Sequence, residues 1–435
     1  MTDTLRLTAA ADRPLAWAEG DSVRYVVATL DALPHAKVQK EPAAPIHLAL
    51  VIDASGSMSG DKLENAKSAA LGVAERLRDI DRLSIVSFAS DVIIHADALA
   101  LSRDNRNAMR SAVAALHTRG NTNLSDGWLA GAECLAKAMP INGVNRVILF
   151  SDGEANAGIT DLEQLATHAT ELAKRGIFTS TVGIGDGYNI ELMQEISEHG
   201  GGRLHDAEHG AEITAALMGE LGEIGDIAAQ DVTVTLSVPA TARAALVGSA
   251  PLTVGVGSLA VFVGTLLAGR PRTYVFRVTL PAGRTNDTLL FGVTARGMDP
   301  TSAELEAAPA EVAFTLAEGA RNNRQPRNEA ASMTVARAWH ADIVRTASQM
   351  NRGGDRRHAR HYVERELHFF ERYCVGLPEA RDLLKEIAVL KQNVDRTWDE
   401  RTRKEMELGS YLVQSNRADY RGPKRAWADR MNDKQ

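Results

Sequence analysis

The chain has 435 residues, 44% of them apolar and 24% charged, and carries a formal net charge of −7. That length exceeds one ordinary core and predicts two to three domains, with the composition of a soluble globular chain rather than a disordered or fibrous one. The mildly acidic balance gives no footprint of wholesale nucleic-acid binding, and Cys134 and Cys374, far apart in sequence, exclude both a disulfide framework and a cysteine metal cluster.

The start, Met1-Thr2-Asp3-Thr4-Leu5-Arg6, lacks a basic segment followed by an apolar run, so no secretory signal is read. With so few cysteines, the expected setting is reducing and cytoplasmic. Residues 5–33 alternate like strands, with Val23, Tyr25, Val27 and Leu30 the best examples. Pro42 to Pro45 reads as a linker. The pattern then changes: His47-Leu48-Ala49-Leu50-Val51-Ile52 is an apolar run of the kind buried on both faces of a parallel sheet. Leu63, Ala66, Ala70, Val73 and Leu77 recur at helical spacing and predict a helix over 61–79. A strand at 83–88, helices near 103–116 and 125–138, a buried strand at 146–150, a helix at 162–174 and a strand at 177–184 follow. Helices near 190–198 and 212–221 complete the unit. Such alternation predicts a doubly wound, Rossmann-like α/β sheet over residues 44–224.

Beyond this the pattern is all-β. Residues 232–236, 274–280, 289–293 and 312–316 read as strands of a β-sandwich over 225–320. Residues 252–269 run without a charge, near the length of a membrane span, but their glycines and β-branched residues favour two buried strands joined by a turn. A lone N-terminal hairpin cannot hold itself together, so residues 1–43 are expected to complete the sandwich, which makes the α/β unit an insertion within it. From residue 321 to the end the chain reads as an all-α module. Residues 320–435 hold 24 basic and 17 acidic residues, so this part is mildly basic. Its last stretch, 421–435, is polar with Gly422-Pro423 and is expected to fray.

The informative string is Asp53-Ala54-Ser55-Gly56-Ser57-Met58-Ser59-Gly60, between a buried strand and a helix. A strand in an open α/β sheet delivers its C-terminal end to the ligand-binding edge. Asp53, Ser55 and Ser57 offer one carboxylate and two hydroxyls there, hard oxygen donors that suit Mg²⁺. Thr122, in a loop before a helix, and Asp152, just after the strand at 146–150, supply two more oxygens if both strands end at one edge. The bland alternative is an Asx turn capping the helix at 61.

This set resembles the metal-ion-dependent adhesion site of von Willebrand factor A domains, a D-x-S-x-S string followed by a Thr and then an Asp. The resemblance covers about residues 46–220. It implies that Asp53, Ser55, Ser57 and Thr122 hold a divalent ion directly or through one water, and that Asp152 acts through water. It implies Mg²⁺, with Mn²⁺ or Ca²⁺ as alternatives, and an open coordination position for an Asp or Glu of a protein partner. Tyr411-Leu412-Val413-Gln414-Ser415 and the helical hairpin around Gly353-Gly354-Asp355 resemble a C-terminal module found beside such domains in bacterial and plant proteins. The plant relatives add a RING, for which this chain has no Cys/His cluster.

The expected role is therefore an adaptor or scaffold, not an enzyme, with neither nucleic acid nor membrane as partner. One alternative is a metal-assisted hydrolase with Ser55 or Ser57 as nucleophile. The string holds no base, however; His117 reads as a cap or surface residue, and Glu154 and Asn156 read as solvated turn residues. The other is an accessory subunit of a partner ATPase or ubiquitin-like ligase system. His199, His205 and His209, around a Gly-rich turn, read as too loosely spaced for a second metal. The basic run Arg356 to His361 is followed by Glu364, Glu366 and Glu371 and reads as a solvated helix face.

Overall fold

The structure, a computed structural model, describes residues 4–33, 44–139, 143–153, 156–207, 210–224, 226–300, 303–415 and 427–433. Pro42 of the linker, Glu154, His209 and Gly422-Pro423 lie outside the described residues.

The apolar run at His47 becomes the strand Ile46–Asp53, in the middle of a six-stranded sheet. The spatial order is Val92–Ala100, Arg82–Phe88, Ile46–Asp53, Val144–Ser151, Ile177–Ile184, Gly201–Ala207. All neighbours are parallel except the antiparallel edge strand Val92–Ala100. Successive side chains of a strand point to opposite faces. Leu48, Leu50 and Ile52 accordingly enter one apolar cluster, while Ala49 and Val51 enter the other. The helix Asp61–Arg76 contributes Leu63, Ala66, Ala70 and Val73 to the first cluster. The helix Leu124–Lys137 puts Trp128 and Leu135 into the second. It approaches the sheet closely because Gly127 and Gly131 face it: a Cβ at these positions would stand 2.5 Å from Phe88 and 2.3 Å from Val51.

The flanking strands form two further sheets. One runs Leu5–Ala11, Ser22–Ala32, Arg272–Leu280, Arg243–Val247, with Val27 opposite Val275 in antiparallel register. The other runs Leu252–Gly255, Ser258–Leu267, Ile227–Ser237, Thr288–Met298, Ala310–Ala317, Leu15–Trp17. Val26, Leu30 and Phe276 of the first share one cluster with Val234, Phe291 and Phe314 of the second. On the other face of the four-stranded sheet, Tyr25, Val27 and Val275 meet Trp339, Phe370 and Tyr373 of the long helices Glu329–Arg352 and Arg356–Cys374.

Four expectations need correction. Val92–Ala100 is a strand that the alternation did not show, because an exposed sheet edge admits His95 and Asp97. Gly201–Ala207 is a strand where the glycines indicated a turn; Gly200 ends the preceding helix and the ladder begins one residue later. Residues 252–269 are two strands and a turn, but Leu252–Gly255 is an exposed edge strand, not a buried one. The last stretch is not frayed throughout: Trp427–Asp433 is a helix whose Trp427, Ala428 and Met431, at i, i+1 and i+4, are buried in the helical module. Among the described residues no helix is long and apolar enough to cross a membrane.

Candidate metal centre

Asp53 is the last residue of its strand and Ser151 the last of the neighbouring one, so the loops that follow leave the same edge of the sheet. The first loop curls through a short 3-10 turn, Gly56–Met58, pinned by the buried Met58. Gly60, at φ +79°, then turns the chain into the helix Asp61–Arg76, a conformation that favours glycine. Cross-loop bonds fix the curl. Gly56 N–H donates to the Gly120 carbonyl at 3.2 Å, and Arg119 N–H to the Ala54 carbonyl at 2.6 Å.

Four of the five expected donors form one continuous chain of contacts. The Asp53 carboxylate accepts from Ser55 N–H at 2.8 Å, and the Ser55 and Ser57 hydroxyls lie 3.0 Å apart. The Ser57 hydroxyl donates to Asp152 Oδ1 at 2.7 Å. The fifth, Thr122, is held by its backbone. Its N–H donates to Asn156 Oδ1 at 3.1 Å, and its carbonyl accepts from Asn156 N–H at 3.2 Å, which ties it to the loop that carries Asp152. Among the described residues, no side-chain hydrogen bond joins Thr122 to the other four.

The burial is graded. Asp53 is wholly buried, Ser55, Asp152 and Thr122 nearly so, and Ser57 is exposed at the mouth. Burial, opposed by hydrogen bonds from Ser55 and Ser151, pushes the Asp53 carboxyl above the ordinary range, and Asp152 adds to the rise. Among the described residues no cationic side chain pairs with Asp53. Asp152 is different: Lys62, from the first turn of the following helix, forms an ion pair with its Oδ2.

Three participants escaped the sequence reading. Ser151 donates its hydroxyl to Asp53 Oδ2 at 2.7 Å, Asn156 anchors Thr122, and Lys62 pairs with Asp152. Lys62 did carry a signal: a cation in the first helical turn opposes the helix dipole and calls for a compensating partner. His117, the nearest proposed base, is exposed, with its Nδ1 3.0 Å from the Ala115 carbonyl. His205 sits against Glu220 at 2.6 Å and His199 against Glu195 at 3.3 Å, each on its own carboxylate. Among the described residues no three His, Cys, Asp or Glu side chains gather into a metal cluster.

The family model for the von Willebrand factor type A domain matches residues 47–216, and this segment is such a domain. An uncharacterized protein from Synechocystis sp. is 33% identical over 171 residues, which cover 39% of this chain and 39% of that protein. The human inter-alpha-trypsin inhibitor heavy chain H3 is 31% identical over 162 residues, 36% of this chain and 18% of that one. The chain thus spans well under half the length of the curated relatives it matches. A solved von Willebrand factor type A protein from Catenulispora acidiphila is 17% identical with a TM-score of 0.69, covering 94% of this chain and 96% of that one. The ArnB paralog VWA2 from Sulfolobus acidocaldarius is 15% identical with a TM-score of 0.56, covering 94% and 99%. These two likenesses concern the fold, and they extend over the flanking strands and helices as well as the α/β unit.

Proposed function

From the von Willebrand factor type A domain at residues 47–216, we propose that this protein holds one divalent cation and uses it to grip a protein partner. The cation is Mg²⁺ in the first instance, and Asp53, Ser55, Ser57, Thr122 and Asp152 are the residues that would hold it. The observation that carries this reading is the buried Asp53 carboxylate. It lies at a sheet edge among neutral donors, with a second buried carboxylate, Asp152, reached through Ser55 and Ser57. A buried carboxylate is costly without an opposite charge, and a small hard cation supplies one to a set of carboxylate and hydroxyl oxygens.

When bound, the ion supplies an electrophilic position for one further oxygen ligand. Asp53 and Asp152 at most balance its charge, and a third carboxylate that coordinates the ion directly lies nearer to it than to either of them, so it gains Coulomb attraction at close range. An Asp or Glu of the partner is therefore the expected ligand. Exposed Ser57 marks the side from which it arrives. The role is that of a binding adaptor in a multi-protein system, in a cytoplasmic setting, with no nucleic acid or membrane involved. A hydrolase would need a base beside the centre, and His117 is engaged with its own helix end.

We read the chain as residues 1–43 and 225–320 forming one β-sandwich, 44–224 inserted into it, and 321–435 forming a helical module. The pairing of Ser22–Ala32 with Arg272–Leu280 supports this division. Isothermal titration with MgCl₂ tests the centre. The wild type should bind one ion, and Asp53→Ala should lose that binding because it removes the deeper charge. Undiminished binding by Asp53→Ala refutes the assignment.

A further inference from the structure

Lys62 is the one cation that touches the centre among the described residues. Its ammonium pairs with Asp152 Oδ2 and lies 3.4 Å from the Ser57 carbonyl. The geometry has two further features. The Asp152 side chain is fully buried whereas that of Lys62 is 41% exposed, so the pair joins a fixed carboxylate to an arm with a way out to solvent. The Lys62 stem also passes beside Gly185, where a Cβ would stand at an ordinary contact distance, 3.8 Å, from Lys62 Cε.

From this arrangement we propose that Lys62 is an internal counter-cation of the centre, neutralising Asp152 in the metal-free protein and yielding that carboxylate when a divalent ion binds. The inference rests on the metal reading given above. An ammonium and a dication cannot share one small oxygen cluster without strong repulsion at close range. Asp152 Oδ1 already accepts from Ser57, and Oδ2 is the atom Lys62 holds. Lys62 therefore sets the metal affinity: the ion must outcompete a tethered charge, and the protein remains folded with the centre metal-free. Without Lys62 the buried Asp152 carboxylate would have no cationic partner among the described residues. Once released, the ammonium stands at the exposed mouth on the same side as Ser57, placed to meet an incoming carboxylate.

The test titrates MgCl₂ into the full chain carrying Lys62→Met, Lys62→Arg or Lys67→Met. It also records the melting temperature of each in EDTA and in saturating Mg²⁺. Lys67 lies on the same helix, paired with Glu64 at 2.8 Å, and controls for loss of one charge away from the centre. The expected result is Mg²⁺ binding at least tenfold tighter in Lys62→Met, near wild type in Lys62→Arg, and unchanged in Lys67→Met. In EDTA, Lys62→Met should melt below the wild type, and Mg²⁺ should raise its melting temperature more than it raises that of the wild type. Equal or weaker Mg²⁺ binding by Lys62→Met beside a binding wild type overturns the inference and leaves the metal reading standing. Silence of all four proteins towards Mg²⁺ overturns the metal reading and the inference with it.

Discussion

Ser57 shows how much one hydroxyl can carry at a loop mouth. It links Ser55 to Asp152 across two loops that are 95 residues apart in sequence, yet it is itself exposed. Its removal should therefore act on the centre far more than on the fold. Ser57→Ala should weaken Mg²⁺ binding roughly tenfold, about 1.4 kcal/mol. Its unfolding free energy in EDTA should fall by no more than about 1.5 kcal/mol, the net contribution of one part-buried hydrogen bond. Calorimetric titration and urea unfolding of the same preparation measure both. A large loss of stability with unchanged binding would place Ser57 in the scaffold instead. At this scale the sequence was informative about Asp53, Ser55, Ser57 and Asp152, because a strand end fixes where the next few residues lie. Ser151 and Lys62 went unread because their roles depend on where a neighbouring strand ends and which way a long arm turns.

Among the elements, the helix Gly210–Ile224 is fastened to the sheet by charge as well as by Ile213 and Leu217. Glu220, almost fully buried, meets Arg146 at 2.9 Å and His205 at 2.6 Å. Burial alone would raise its carboxyl, but Arg146, then His205 and Arg203, more than reverse this and hold it far below the usual carboxylate range. A carboxyl depressed in the folded state contributes stability that is present above its unfolded value and lost as pH falls towards the folded one. The acid limb of the stability curve should therefore begin near the ordinary Glu value of 4.5 and steepen below it. Glu220→Gln should flatten that limb, and Arg146→Met at pH 7 should cost about 3–5 kcal/mol by stranding a buried charge. Thermal melts between pH 7 and 3 decide this, and an unchanged acid limb in Glu220→Gln would show that other carboxylates control it.

Across the whole molecule, the helix Glu400–Gln414 crosses from the helical module onto the α/β unit. Leu408 and Tyr411 enter the cluster that holds Trp128, Met193 and Ile196, and the Tyr411 hydroxyl accepts from Leu204 N–H at 3.0 Å. Lys404, 6% exposed, lies 2.9 Å from Asp206 Oδ1 and 4.3 Å from the Tyr188 ring centre, and donates to the Gly185 carbonyl. The α/β unit thus depends on the far end of the chain for part of its cover. Leu408→Ala should destabilise it by about 2–4 kcal/mol, as core truncations of this kind do. Differential scanning calorimetry should show the transition that responds to Mg²⁺ moving down in temperature. If only a metal-insensitive transition moves, the helix stabilises its own module and not the α/β unit.

The periodicity of 44–224 settled by itself that a parallel sheet with helices on both faces would form, because a strand buried on both sides can hardly be anything but apolar throughout. It also placed Asp53 at the end of one strand and Asp152 just after another, and the parallel pairing of those strands then brought both to one edge. Only the tertiary structure decided what an edge strand or a tail would do. Val92–Ala100 and Gly201–Ala207 pair through backbone groups, which leave little trace in side-chain pattern when one face is open or the first residues are glycine. Trp427 is buried because a helical module lies beside it, not because of its polar neighbours. Lys62 and Asp152, 90 residues apart, form an ion pair because the helix Asp61–Arg76 and the loop after Val144–Ser151 start from the same sheet edge, which brings a partly exposed ammonium onto a buried carboxylate.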